Sequence, residues 1–89
     1  MFSLGQIVAT PSALAAIERG VRDTMHYVRQ HQRGDWGDVC REDAQANEDA
    51  VRLGMRILSV YHLLPTAVKV YVITEHDRSV TTVLLASEY

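Results

Sequence analysis

A single cysteine, Cys40, stands among the 89 residues. One thiol can form neither an internal disulfide nor a cysteine-based zinc site, so nothing points to an oxidising compartment or a metal-stapled fold. Long apolar runs are missing as well. No stretch approaches the roughly 18 apolar residues of a membrane span. The opening MFSLGQIVATP has neither the basic start nor the apolar run of a signal peptide. These absences read as a soluble, cytoplasmic protein with no membrane partner. Basic excess is also lacking: the formal net charge is −2, the reverse of what most nucleic-acid-binding domains show. There is no glycine-rich phosphate loop and no nucleophile elbow. His26, His31, His62 and His76 show no HxxxH or HxH spacing, which leaves zinc or a nucleophile–base pair without support. The expectation is a non-enzymatic chain with no cofactor and no metal.

What is present is charge that has been sorted. Gly34 to Asp49 reads GDWGDVCREDAQANED, and Asp35, Asp38, Glu42, Asp43, Glu48 and Asp49 in it make up more than half of the eleven carboxylates. Arg41 is its only basic group. Just before it, Arg19, Arg22, Arg29 and Arg33 form the opposite cluster. A chain of this length forms one domain. It buries little more than half of the surface its unfolded form exposes, so dimerisation is an easy way to bury more.

Punctuation by glycine and proline divides the chain, with helices over about 11–53 and a β-meander over about 55–86. Gln6 to Ala9, between Gly5 and Pro11, reads as a short strand or extended arm. Thr10-Pro11 is a helix start, because Thr10 can cap and Pro11 has no N–H to leave unpaired. This first helix runs through Ala13, Leu14, Ala16 and Ile17 to Gly20. A second helix is expected over Val21 to Arg33, with Val21, Met25 and Val28 as its apolar stripe and Arg22, His26, Arg29 and Arg33 about 100° round from it. A third is expected from Val39 to Leu53, ending at Gly54. In it, Ala46, Ala50 and Leu53 on one side and Ala44 and Val51 on the other bracket Asp43 and Asn47. Both of these should therefore point inward, as structural anchors to backbone or to a strand; the competing reading is catalytic, an enzyme using Asp43 with a histidine. Glu48 and Arg52 have the favourable i,i+4 order.

After Gly54 the apolar period changes from about 3.6 to 2. Met55 to Leu63, Val68 to Thr74 and Val80 to Ala86 are rich in β-branched and aromatic residues and are separated by short turns, which makes them antiparallel neighbours. The expected fold is α+β and two-layered: N-terminal helices on a three-stranded antiparallel sheet, or a four-stranded one if Gln6 to Ala9 joins it. The strands look apolar on both faces, where a half-covered sheet should show one polar face. That suggests a homodimer through the sheet, with Trp36, Tyr61 and Tyr71 as interface anchors.

Two uses of the acidic block compete with a simple solvated helix start. Asp35, Asp38 and Asp43, with His31 nearby, offer hard ligands, but their spacing matches no loop that would converge them on an ion. The other use is a binding face. Asp35, Asp38, Glu42, Glu48 and Asp49 would meet a basic partner, as carboxylates imitating phosphates or pairing with arginines. Arg22, Arg29 and Arg33 are the alternative surface. They would grip nucleic acid, or fold back onto the acids.

FSLGQIVATPSAL at the start, GDWGD at Gly34 to Asp38 and VITEHDRSVTTVLLASEY at the end together resemble a family of small proteins carried by bacterial plasmids, phages and integrated elements. The resemblance implies a genomic setting and no particular activity. Products of such elements include anti-CRISPR or anti-restriction inhibitors, regulators and plasmid-maintenance proteins. With an acidic face, the resemblance implies an anti-defence inhibitor that meets a host protein or nucleoprotein complex. The alternative is a small nucleic-acid-contacting regulator or plasmid-maintenance protein that uses the arginines.

Overall fold

The computed structural model describes residues 1–89. In chain order it contains β1 (Gln6–Ala9), α1 (Pro11–Glu18), α2 (Thr24–Gln32), α3 (Arg41–Leu53), β2 (Ile57–His62), β3 (Lys69–Thr74) and β4 (Val80–Leu85), and it ends in a short 3-10 turn, Ala86–Glu88. The architecture is α+β, with helices ahead of a meander. The sheet is four-stranded in the order β1-β4-β3-β2. The β2–β3 and β3–β4 pairs are antiparallel hairpin neighbours. β1 is the fourth strand, but it pairs parallel to β4, with Gln6 opposite Val80 and Ala9 opposite Val83. Short turns dictate antiparallel pairing only for the strands they join, and β1 reaches β4 through the rest of the chain.

Local chemistry sets the helix limits. The Thr10 hydroxyl accepts from the Ala13 N–H at 3.1 Å, and Pro11 opens α1. Asp23 caps α2 by accepting from the His26 N–H at 2.8 Å. The second helix therefore starts at Thr24, three residues later than expected. Val21 and Arg22 lie in the preceding turn, where the Val21 N–H is held by the Leu64 carbonyl. α3 ends where Gly54 takes the left-handed conformation at φ 72°, the conformation that glycine adopts at least cost.

Alternation along the strands divides the sheet. Tyr61, Val70, Val72 and Val83 point to the helices and pack with Ala13, Ala16, Ile17, Tyr27 and Val28 in the main core. A smaller cluster of Trp36, Ala50 and Ile57 holds α3 to β2. The other face carries Val8, Leu58, Val60, Tyr71, Ile73, Val80 and Leu84, with Gln6, Thr82, His62 and Lys69 among them, so it is largely apolar, as expected. The chain covers part of it itself. The Tyr89 ring meets Tyr71 at 5.3 Å, and the Arg56 guanidinium lies 5.4 Å above Tyr89. The Glu88 carboxylate, accepting from Thr10 and from the Leu85 N–H, pins this C-terminal turn in place.

α3 lies along β2 through Asn47 and Ala50, with Ala44 and Val51 half-buried. The buried stripe is thus turned from the expected one. Ala46 is exposed, Leu53 is 66 % exposed, and Asp43 faces solvent. Asn47 does point inward. Its side-chain amide donates to the Leu58 carbonyl at 2.8 Å and accepts the Leu58 N–H at 3.1 Å. No helix in the structure is long and apolar enough to cross a membrane.

Candidate functional site

The acidic block does not form one free surface. Asp35 accepts from the Gln30 amide at 2.9 Å and from the Gly37 N–H at 3.3 Å. Asp38 takes the His62 Nε2 at 2.8 Å and the Lys69 ammonium at 3.5 Å. Hydrogen bonds from His62 and then from Lys69 hold its carboxyl below the usual carboxylate range. Glu48 accepts the Trp36 indole N–H at 2.8 Å, because an indole buried to 6 % exposure requires an acceptor. The expected Glu48–Arg52 pair is therefore absent. Arg52 pairs with Asp49 at 3.1 Å, and Asp49 also accepts from Gln45. Of the five carboxylates expected to face a partner, only Glu42 makes no side-chain contact of this kind. Asp43, expected inward, stands exposed beside it on the first turn of α3.

The expected aromatic anchors are corrected too. Trp36 packs among Phe2, Val39, Ala44, Ala50, Val51 and Ile57. Tyr61 stacks against Tyr27 at 5.6 Å and donates its hydroxyl to the Asp35 carbonyl, and burial pushes its phenol pKa up. Tyr71 alone is half-exposed, under Tyr89. Both buried rings serve the fold because the chain needed apolar mass between α2, α3 and β2.

The arginines remain free. Every ion pair is local to α3 or to the strands: Asp49–Arg52, Glu75–Arg56, and Asp38 with His62 and Lys69. None reaches Arg22, Arg29 or Arg33, all exposed, so the expected fold-back onto the acids does not occur. Arg29 belongs to α2, Arg33 is its C-terminal cap and Arg22 precedes it. Beside them, a cleft of about 390 Å³ opens between α2 and the end of β2, lined by Arg22, His26, Gln30, Asp38 and His62 over a floor that includes Tyr61.

The most ordered polar arrangement is one that periodicity did not reveal. His31 is 0 % exposed. Its Nδ1 lies 2.6 Å from the Ser59 hydroxyl and its Nε2 2.8 Å from the Thr74 hydroxyl. Thr74 meets Thr81 at 2.7 Å, and Thr81 donates to the Leu4 carbonyl at 2.7 Å. A carbonyl only accepts, so the directions are fixed in turn. Thr81 spends its proton on Leu4, Thr74 donates to Thr81, and Nε2–H donates to Thr74. Burial keeps the ring neutral, so Nδ1 carries no proton and accepts from Ser59, and His31 is the Nε2–H tautomer. Burial, and then the charge of Arg78, lower its pKa to about 4. Phe2 packs edge-on at 5.2 Å and Trp36 at 6.0 Å. Ser59 and His31 have the distance and the donor direction of a nucleophile–base pair, but both groups are fully buried. The signal that could have found this network is the set of hydroxyls Ser59, Thr74 and Thr81 on inward positions of three consecutive strands.

Compared with protein-family models, curated proteins and solved structures, the chain matches none.

Proposed function

We propose that this chain is a non-enzymatic interaction factor that recognises a charged macromolecular partner in the cytoplasm. One observation carries the reading: the charge sorted in the sequence stays sorted on the surface, because no ion pair joins the arginines around α2 to the acids that follow. Glu42 and Asp43 on the first turn of α3, with Asp49 nearly two turns further on, form the acidic contact for a basic patch on a host protein or nucleoprotein complex. In the setting that the resemblance to plasmid and phage proteins implies, the role is anti-defence, of the anti-CRISPR or anti-restriction kind. That setting rests on the three resembling motifs alone. The test is affinity capture from a bacterial host lysate with the wild type beside the Glu42→Lys/Asp43→Lys double variant. A partner held by the wild type and lost by the variant, at unchanged circular dichroism, supports the acidic contact. Equal capture by both sinks it.

A second reading has its own observation. Arg22, Arg29 and Arg33 are three exposed guanidiniums with no carboxylate partner, which suits a small regulator contacting nucleic acid. Three phosphate contacts give a log K against log salt slope of roughly −2.7. A mobility-shift assay at low and moderate salt reads this directly. No shift at low salt removes the nucleic-acid reading, and a shift abolished by Arg29→Glu/Arg33→Glu establishes it.

A further inference from the structure

The two edges of the sheet are treated differently. The β2 edge is closed. Asn47 takes both backbone groups of Leu58, and the Trp36–Asp38 segment takes both of Val60, with Asp38 N–H to Val60 O at 2.7 Å and Val60 N–H to Trp36 O at 3.0 Å. The β1 edge is open. Gln6 and Thr10 direct their N–H groups to Ser79 and Val83 of the β4 side. By the alternation of a parallel ladder, Ile7 and Ala9 then turn theirs outward, with their carbonyls, and no turn, loop or cap hydrogen bond reaches them. Ile7 is 37 % and Val8 38 % exposed. β1 and its neighbours in residues 1–17 carry no charged side chain, and the one carboxylate held at its end, Glu88, is taken up by Thr10 and Leu85. Natural edge strands are normally blunted by charge, proline or a covering element.

We infer that β1 is a homodimerisation edge, pairing antiparallel with β1 of a second copy about a two-fold axis at Val8. The occupant follows from the hydrogen-bonding geometry. With Val8 opposite Val8 of the second copy, Ile7 of each chain faces Ala9 of the other as a hydrogen-bonded pair. Every outward N–H and C=O of Ile7 and Ala9 then has a partner, and none is left over. The pairing is isologous, as a two-fold contact must be. It ends cleanly at both sides. Gly5 turns left-handed at φ 63°, and Pro11 has no N–H to extend the ladder. The strand is also pre-organised, anchored by Gln6 to Ser79 and by Thr10 to Val83 and Glu88, so little ordering entropy opposes docking. The result is one continuous sheet of twice the present four strands, with Val8 of the two copies adjacent on the apolar face. The dimer forms at an edge and leaves the charged surfaces of α2 and α3 outside it, so it stands or falls separately from the partner-binding reading.

The test is solution mass by light scattering over a concentration series, with amide exchange by NMR on the same samples. The wild type should approach twice the 10.0 kDa of one chain, with the Ile7 and Ala9 amides gaining protection as the dimer forms. Ile7→Pro removes an outward donor without touching the β4 ladder, and Val8→Lys places like charges across the axis. Both should return the mass to one chain with the far-UV spectrum unchanged. A wild type that stays at 10.0 kDa at millimolar concentration overturns the proposal. So does a dimer in which the Ile7 and Ala9 amides exchange freely. The exchange readout needs no variant, so a misfolded Ile7→Pro protein leaves the decision intact.

Discussion

Lowering the pH from 7.5 to 5 should destabilise this protein well before its carboxylates titrate, and His31 should be the cause. The native state holds the ring neutral, with a pKa lowered from 6.5 to about 4 by burial and by Arg78. Between those values the unfolded chain binds a proton that the native state refuses, so stability falls as pH falls. The contribution is complete above about 6.5 and gone below about 4. The full span corresponds to about 3 kcal/mol, and the part lost by pH 5 to about 2 kcal/mol. A domain of this length holds about 4–13 kcal/mol in total, so the loss is a large fraction. With a urea m-value of about 1 kcal/mol/M for a small protein, the unfolding midpoint should drop by roughly 2 M between pH 7.5 and 5. Asp38 and Asp77, both held below the carboxylate range by hydrogen bonds, from His62 and Ser79 respectively, lose their contributions only at more acid pH and occupy a separate window.

The assay is urea unfolding at pH 7.5, 6, 5 and 4.5, repeated with His31→Gln, whose amide can accept from Ser59 and donate to Thr74 but does not titrate. The variant should show a much flatter dependence over the same range, whatever its absolute stability. Nitrogen-15 shifts of the wild-type ring should report the Nε2–H tautomer down to pH 5. An equal midpoint at pH 7.5 and 5 refutes the stability argument, and an Nδ1–H tautomer refutes the directional relay.

Other substitutions probe other ties. Asn47→Ala removes both partners of Leu58 and should cost about 1–3 kcal/mol, with the Leu58 amide losing exchange protection first. Arg78→Ala should cost about 2 kcal/mol, because its guanidinium donates to Met55 O at 2.6 Å, Ala50 O at 2.9 Å and Glu75 O at 3.0 Å, tying the β3–β4 turn to the end of α3; denaturant titration measures it. Gly37→Ala should give a protein that fails to show a cooperative melt. Gly37 sits at φ 76°, and its added Cβ would collide with the Val60 carbonyl.

The elements themselves were legible because their signals are local. Thr10-Pro11 and Gly54 mark helix ends by backbone chemistry, and the change of period after Gly54 announces the meander. The inward turn of Asn47 was also readable, since an amide between apolar positions must find a backbone. The direction of β1 was not, because nothing near Gln6–Ala9 encodes which way a distant strand runs. Asp43 was misplaced for a different reason. A helix that touches a single strand edge buries a narrow stripe, here Ala44, Asn47, Ala50 and Val51, and a wheel cannot tell which side of a broad small-residue arc makes the contact. The aromatics were misread because composition says that Trp36 and Tyr61 need burial without saying whether a partner or the chain itself supplies it.

The acidic block acquires a physical rationale once the β2 edge is considered. An edge strand needs its outward backbone groups occupied, and the GDWGD segment supplies this. Gly37 allows the chain to pass against Val60, and Trp36 and Asp38 contribute the carbonyl and N–H that Val60 uses. The Asp35 carboxylate holds the turn through Gly37, Asp38 ties it to His62 and Lys69 across the hairpin, and Glu48 satisfies the indole that anchors it. Four of the six acids in the block, counting Asp49 with Arg52, therefore have intramolecular work. The two without it, Glu42 and Asp43, are neighbours on the first turn of one helix. A charge run that looks like a single binding face in sequence is thus mostly the fastening of one sheet edge. The same fold leaves the opposite edge, β1, with no such fastening and no charged side chain of its own.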